Sequence, residues 1–287
     1  MSTFIDGLSL GSIYALIALG YTMVYGIAKM LNFAHGDIIM VGAYAIFTTL
    51  AIGGNPWLAI IVAVVICTFL GIATEKLAYK PLRGASPLAV LITAIGVSYL
   101  LQSIAQLIYG AKSRPVSIAT FPSVAIGSIK VNIATIITLV AGAIIMIALT
   151  LFINKTKMGR AMLAVSEDRG AAQLMGINVN AVITATFAIG SALAAFASVF
   201  YLMHIPSTSP TLGSMPGIKA FTAAVIGGIG SVPGAMIGGV VLGLIEKLSL
   251  SIPPLAPYTT AFEFALLIII LLVKPTGLLG KQRREKV

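Results

Sequence analysis

The sequence predicts an all-α polytopic membrane protein with about 8–9 transmembrane or half-spanning helices. Of its 287 residues 59% are hydrophobic and 9% charged, and the mean hydropathy is +1.06, beyond what a water-soluble core explains. Apolar runs of about 20 residues, enough to cross roughly 30 Å of hydrocarbon at 1.5 Å per residue, recur along the chain. The cations behind the net charge of +10 collect between those runs rather than along one helical face, so they report topology and not nucleic-acid binding.

In order, the spans are expected at 3–27, 36–52, 57–77, 88–108, 131–153, 181–203, 217–229, 234–250 and 259–273. The second, seventh and eighth are short or interrupted by glycine, and are expected to be half-helices or re-entrant segments. The first six residues carry an acid, no Lys or Arg and no small-residue cleavage site, so the first span is expected to stay in place. Cations gather at Lys76, Lys80 and Arg83, at Lys155, Lys157, Arg160 and Arg169, and at Lys274, Lys281, Arg283, Arg284 and Lys286. Placing all three groups in the cytoplasm requires an outside N-terminus and a cytoplasmic C-terminus, and puts Lys29 inside as well. Lys112, Arg114 and Lys130 then fall outside, one exception to the rule. The cytoplasmic segment 154–180 is too short for its own core, so residues 1–287 form a single transmembrane domain. Cys67 has no partner for a disulfide, and His35 and His204 are too few for a metal cluster.

The most informative polar stretch is 165–178, VSEDRGAAQLMGIN, which carries helix signals between two spans. Ser166 is expected to N-cap a short helix, Glu167 and Asp168 to occupy its first turn, and Gly176 to supply a left-handed C-cap. Ala171, Leu174 and Met175 then form a small apolar face suited to a partner groove or to a bed of lipid headgroups. The pattern of Glu167, Asp168, Ala171, Ala172, Gly176 and Ile177 resembles the coupling loop of ABC importer permeases, although it departs from the fuller E-A-A motif. Two further stretches, GSIYALIALGYTMVY at 11–25 running into LNFAHGDIIMVGAY at 31–44, and GGIGSVPGAMIGG at 227–239, make the resemblance more specific. Together they are similar to the H-type permease of branched-chain amino-acid importers over essentially the whole chain.

That resemblance implies a bacterial inner-membrane subunit working with a second homologous permease, two ATPase subunits and an extracellular substrate-binding protein. ATP would be bound by those partners, so no cofactor is expected in this chain. It also implies that the 166–176 helix sits in a cleft of the ATPase. Urea and short-amide importers use similar permeases, so those solutes remain alternatives to Leu, Ile and Val.

The residues themselves support a pathway role for Asn32, His35, Gly36 and Asp37, which interrupt an apolar region just before a helix begins. Interrupted backbone is tolerated at membrane depth only where protein or a water-filled cavity satisfies it, and a half-helix N-terminus attracts a carboxylate. Gly228, Gly230 and Ser231 form a second break in the other half of the chain. The competing structural reading makes the glycines packing residues and puts His35 and Asp37 at the cytoplasmic boundary. Asp6, Glu75, Lys219 and Glu263 are expected near span ends, paired or snorkelling, and Glu246 and Lys247 carry no assigned role. No G-x-x-x-x-G-K-[ST], H-E-x-x-H or G-x-S-x-G occurs, which argues against ATP binding and catalysis by this chain, an intramembrane enzyme included. An ion-coupled transporter or solute channel using Asp37 or Glu263 is the remaining competitor. An apolar pathway without buried Arg or Lys fits aliphatic amino acids better than phosphate-bearing solutes.

Overall fold

The computed structural model describes residues 2–119, 121–126 and 129–280, so Lys281, Arg283, Arg284 and Lys286 lie outside the described residues. All nine expected hydrophobic segments are helices, with ends within three residues of the expected ones: α1 (Ser2–Ala28), α2 (His35–Ala51), α3 (Pro56–Thr74), α4 (Pro87–Tyr109), α5 (Ile133–Lys155), α8 (Val179–His204), α9 (Ser214–Gly227), α10 (Val232–Ser251) and α11 (Thr259–Val273). Two shorter helices, α6 (Lys157–Glu167) and α7 (Arg169–Leu174), fill the polar segment between α5 and α8. After α3 the chain loosens into a π-turn at Glu75–Tyr79 and a 3₁₀ turn at Lys80–Leu82. Two small ladders, not expected from sequence, tie the opposite loops: β1 (Arg114–Pro115) with β4 (Ser207–Thr208), and β2 (Ser123–Ile126) with β3 (Ile129–Asn132), both antiparallel.

Among the described residues seven helices are long and apolar enough to cross a bilayer, and α10 with its 20 residues is one of them, although it is among the doubtful segments of the sequence. α11 reaches spanning length with the 3₁₀ turn Ala256–Tyr258 that leads into it, and the two that fall short are α2, with 17 residues, and α9, with 14. The centre of the bundle is α1, which runs antiparallel to α10 with almost no side chain between them. A Cβ added to Gly243 would lie 2.2 Å from the Gly11 nitrogen, and one on Gly11 would lie 2.7 Å from the Val240 Cα. In lipid, where helices gain nothing from exchanging hydrocarbon for hydrocarbon, such backbone approach is what holds them together. Outward-facing Phe69, Ile92, Leu107, Ile144 and Leu272 stay exposed on α3, α4, α5 and α11, as a lipid-facing shell requires.

Contacts sort the loops into two faces. Arg83 bonds Asn180, Arg169 bonds the carbonyls of Ile27 and Ala28, Gly230 lies against Gly26, and Gly228 against Gly277 and Gly280. The 29–34, 75–86, 154–180, 228–231 and 274–280 segments therefore share one face, and with them the described members of all three cation groups. On the other face lie the N-terminus, with Thr135 donating to Asp6 at 3.2 Å, and the paired 114–115 and 207–208 segments.

Candidate functional site

The two short helices meet head to head. A Cβ on Gly36 would stand 2.5 Å from the Gly213 oxygen, one on Gly213 2.0 Å from the Gly36 oxygen, and one on Gly217 3.0 Å from the Gly36 Cα. From this junction α2 runs to the face where Thr48 bonds the Tyr109 hydroxyl, while α9 runs to the face where Gly228 meets Gly280. Neither N-terminus has a side-chain cap: Ala34 precedes α2 and Gly213 precedes α9 without such a bond. Two positive helix ends, each equivalent to about half a charge, thus point at one spot.

Asp37 supplies the counter-charge. Its carboxylate accepts from the Ser98 hydroxyl and, at 2.9 Å, from Gln102 Nε2, which also reaches Ser214 at the head of α9 at 3.3 Å. Ser98 is the middle residue of the 23-residue α4, so the cluster lies midway through the span. His35 packs beside Gly20 of α1, with the Tyr21 ring edge-on at 4.9 Å. The reading that put His35 and Asp37 at the cytoplasmic boundary is therefore corrected: both are buried deep in the bundle, because the 29–34 segment folds back inward. Tyr79 holds that segment by donating to the buried Asn32 at 2.8 Å.

The expected pathway group comes together only in part. Asn32, His35, Gly36 and Asp37 are neighbours, but Gly228, Gly230 and Ser231 are not beside Asp37; they form the tight turn between α9 and α10, packed against the end of α1. Gly228 has φ +106, and Ser231 caps α10 by accepting from the Gly234 nitrogen at 3.2 Å. The break that faces Asp37 is the 205–213 segment, which reads in sequence as an ordinary loop. Its signal is Pro206, Pro210, Gly213 and Pro216, which break the chain just before the short apolar stretch of α9.

The 154–180 segment also differs from expectation in detail. Ser166 is not the N-cap: it ends α6 and donates to the Leu163 carbonyl at 2.7 Å, while Asp168, in extended conformation, caps α7 by accepting from the Ala171 nitrogen at 3.0 Å. Glu167 accordingly closes α6 instead of opening α7. A carboxylate at this position adds its charge to the capping bond, which a serine lacks. Gly176, at φ +81, forms the left-handed C-cap, with Ile177 N–H returning to the Ala172 carbonyl at 3.0 Å. Leu174 and Met175 are 91% and 82% exposed, and Ala171 is exposed beside them. Ala172 does not share that face: it is 4% exposed and packs against the bundle. Arg169 fastens α7 to the last carbonyls of α1, where a cation also suits the helix dipole.

One charged group went unnoticed in the sequence. Lys219 of α9 contacts Glu246 of α10 at 2.9 Å and Glu263 of α11 at 3.1 Å, and the Tyr14 hydroxyl donates to Glu246 at 2.7 Å. Lys219 is thus buried and paired, one of the two outcomes expected for it, and the bundle does hold a buried lysine, neutralised by carboxylates. Nothing local predicts this grouping, because its three members come from three helices. Glu75, fully buried in the π-turn, is likewise paired, with Arg83 and with Thr184 at 2.8 Å.

A lipid-embedded bundle with a short helix capped at both ends on one face, two uncapped half-helices at its centre and its buried acids Asp37, Glu75 and Glu263 each paired is built as a transport subunit. The chain belongs to the family described as branched-chain amino acid transport system, permease component, whose model matches residues 3–271. The LivH high-affinity branched-chain amino acid transport system permease protein of Escherichia coli K12 is 46% identical, covering 98% of this chain and 96% of that protein. The corresponding BraD protein of Pseudomonas aeruginosa is 40% identical over 100% of this chain and 98% of its own length. Among solved structures, PsaBC from Streptococcus pneumoniae in complex with Fab aligns with a TM-score of 0.51 at 16% identity, covering 94% of this chain and 91% of that one, a likeness of fold alone. The chain is a multi-pass permease subunit of an ABC importer and not an enzyme.

Proposed function

We propose that this subunit carries leucine, isoleucine and valine inward across the bacterial plasma membrane, driven by ATP hydrolysis on two separate ATPase subunits. A second homologous permease completes the pathway, and an extracellular binding protein delivers the solute. The cation-rich face is cytoplasmic, which leaves the N-terminus outside. The observation that carries the reading is the exposure of Leu174 and Met175 at the end of a helix capped at both termini: large apolar side chains held rigidly in water call for a protein groove. The ATPases pull on α7, and Arg169 passes that movement to α1.

At the other end of this path, the Gly36–Gly213 contact is the closed gate. Parting α2 from α9 uncovers two helix N-termini that can receive a substrate carboxylate in place of Asp37. Both carboxylates proposed for ion coupling, Asp37 and Glu263, already bond groups of the same chain, which favours the ATP-driven reading. The test is the double variant Leu174→Asp, Met175→Asp in the assembled importer. ATPase co-purification and leucine uptake should both be lost; uptake that persists with bound ATPase refutes the docking role. Competition by urea, acetamide and isoleucine in the same uptake assay separates the solute classes, and only isoleucine should compete.

A further inference from the structure

Between α7 and the start of α8 lies a cleft of about 480 Å³ lined by Arg83, Arg169, Gln173, Asn178 and Asn180 over Ile183. No carboxylate is among its described lining residues; Glu75 stands behind Arg83, fully buried and bonded to it. Arg83 uses Nη1 for Asn180 and Nη2 for Glu75, and Arg169 uses Nη2 for the α1 carbonyls. A guanidinium has about five N–H donors, so each fork keeps donors to offer. Burial first, and Arg83 second, push the Arg169 guanidinium below its ordinary value, so the two cations are close enough to repel. The 26-residue α8 opens here: Asn178 caps Ala181 at 3.1 Å, and the N–H groups of the first turn have no helical acceptor. Two guanidiniums, three amide side chains and a positive helix end converging on one space, with no acid among its described lining residues, form a receptor for a tetrahedral anion.

We infer that this cleft binds an anionic phosphate group, held between Arg83, Arg169 and the N-terminus of α8. Two sources share that chemistry: the headgroup of an anionic phospholipid, since the cleft opens where α1 ends and α8 begins, and free inorganic phosphate. Leu174 and Met175 are not among the described residues that line the cleft. An occupant would cross-link α7, α8 and the turn after α3, stiffening the lever.

The test uses the full chain purified in neutral detergent. Dihexanoyl phosphatidylglycerol, dihexanoyl phosphatidylcholine and inorganic phosphate are each titrated, with retained adducts counted by native mass spectrometry and heats measured by calorimetry. Arg169→Gln should abolish saturable binding. Since it also releases the end of α1, the exposed Gln173 provides an independent pair: Gln173→Glu should weaken binding about fivefold and Gln173→Lys strengthen it by a similar factor. Phosphatidylglycerol bound with these sensitivities, and phosphate silent, assigns the lipid; inorganic phosphate bound with the same sensitivities assigns the small anion. Binding of neither, binding of phosphatidylcholine equal to that of phosphatidylglycerol, or binding unchanged by both Gln173 variants overturns the inference.

Discussion

The two regions to which we assign coupling and gating treat their helix ends in opposite ways. Around the lever, Thr156, Asp168 and Asn178 each accept a backbone N–H at the start of α6, α7 and α8, and Gly176 closes α7. At the α2–α9 junction both starts lack a side-chain cap and are answered by the Asp37 carboxylate, carried in the first turn of α2 and bridged to α9 through Gln102. Local caps make a lever rigid by itself, so it can be pushed. Ends satisfied by another element are stable only while the elements touch, so a junction of that kind can open.

That contrast can be broken at several points, beginning with the largest effect. Lys219→Met, on the junction's own helix α9, leaves the buried Glu263 and the half-buried Glu246 with no cation and should cost about 3–5 kcal/mol of stability, read as a large fall in thermal midpoint. Adding Glu263→Gln should recover part of it; a single variant as stable as the parent would deny the buried triad. Gly36→Val places side-chain atoms where the Gly213 oxygen sits and should cost at least about 3 kcal/mol while ending uptake. Asp168→Ala removes one cap and should cost about 1 kcal/mol, with uptake reduced and not abolished. The smallest change in stability, within about 0.5 kcal/mol, belongs to Leu174→Asp with Met175→Asp, since both side chains are already in water, and their loss should show only in ATPase binding. If the junction and lever variants instead produced similar melting curves, the division between them would fail.

The contrast also explains what could be read in advance. The spans were legible because lipid demands long apolar runs, and the Gly176 cap because a glycine at a helix end has few other uses. Asp168 was misplaced by one role: Ser166 has the right chemistry for a cap, but α6 continues through it, held by the packing of Met162 and Val165 in the core. The pairing of the 29–34 and 205–213 breaks was hidden because depth in the membrane is set by tertiary contacts, here Gly36 on Gly213 and Asp37 on Ser98, which leave no periodic trace. For the same reason Lys219 reads as a span-end residue, paired or snorkelling, with no partner to name, since its two acids lie on other helices.

The account turns on where the lever is and what it touches, and a thiol at its tip reports both. In the assembled importer, with the native Cys67 buried, Met175→Cys should react with a membrane-impermeant maleimide in inverted vesicles and stay unlabelled in right-side-out ones. Bound ATPase should protect it and be captured by a short bifunctional cross-linker. Labelling from the outside, or free labelling with the ATPase in place, would contradict the mechanism.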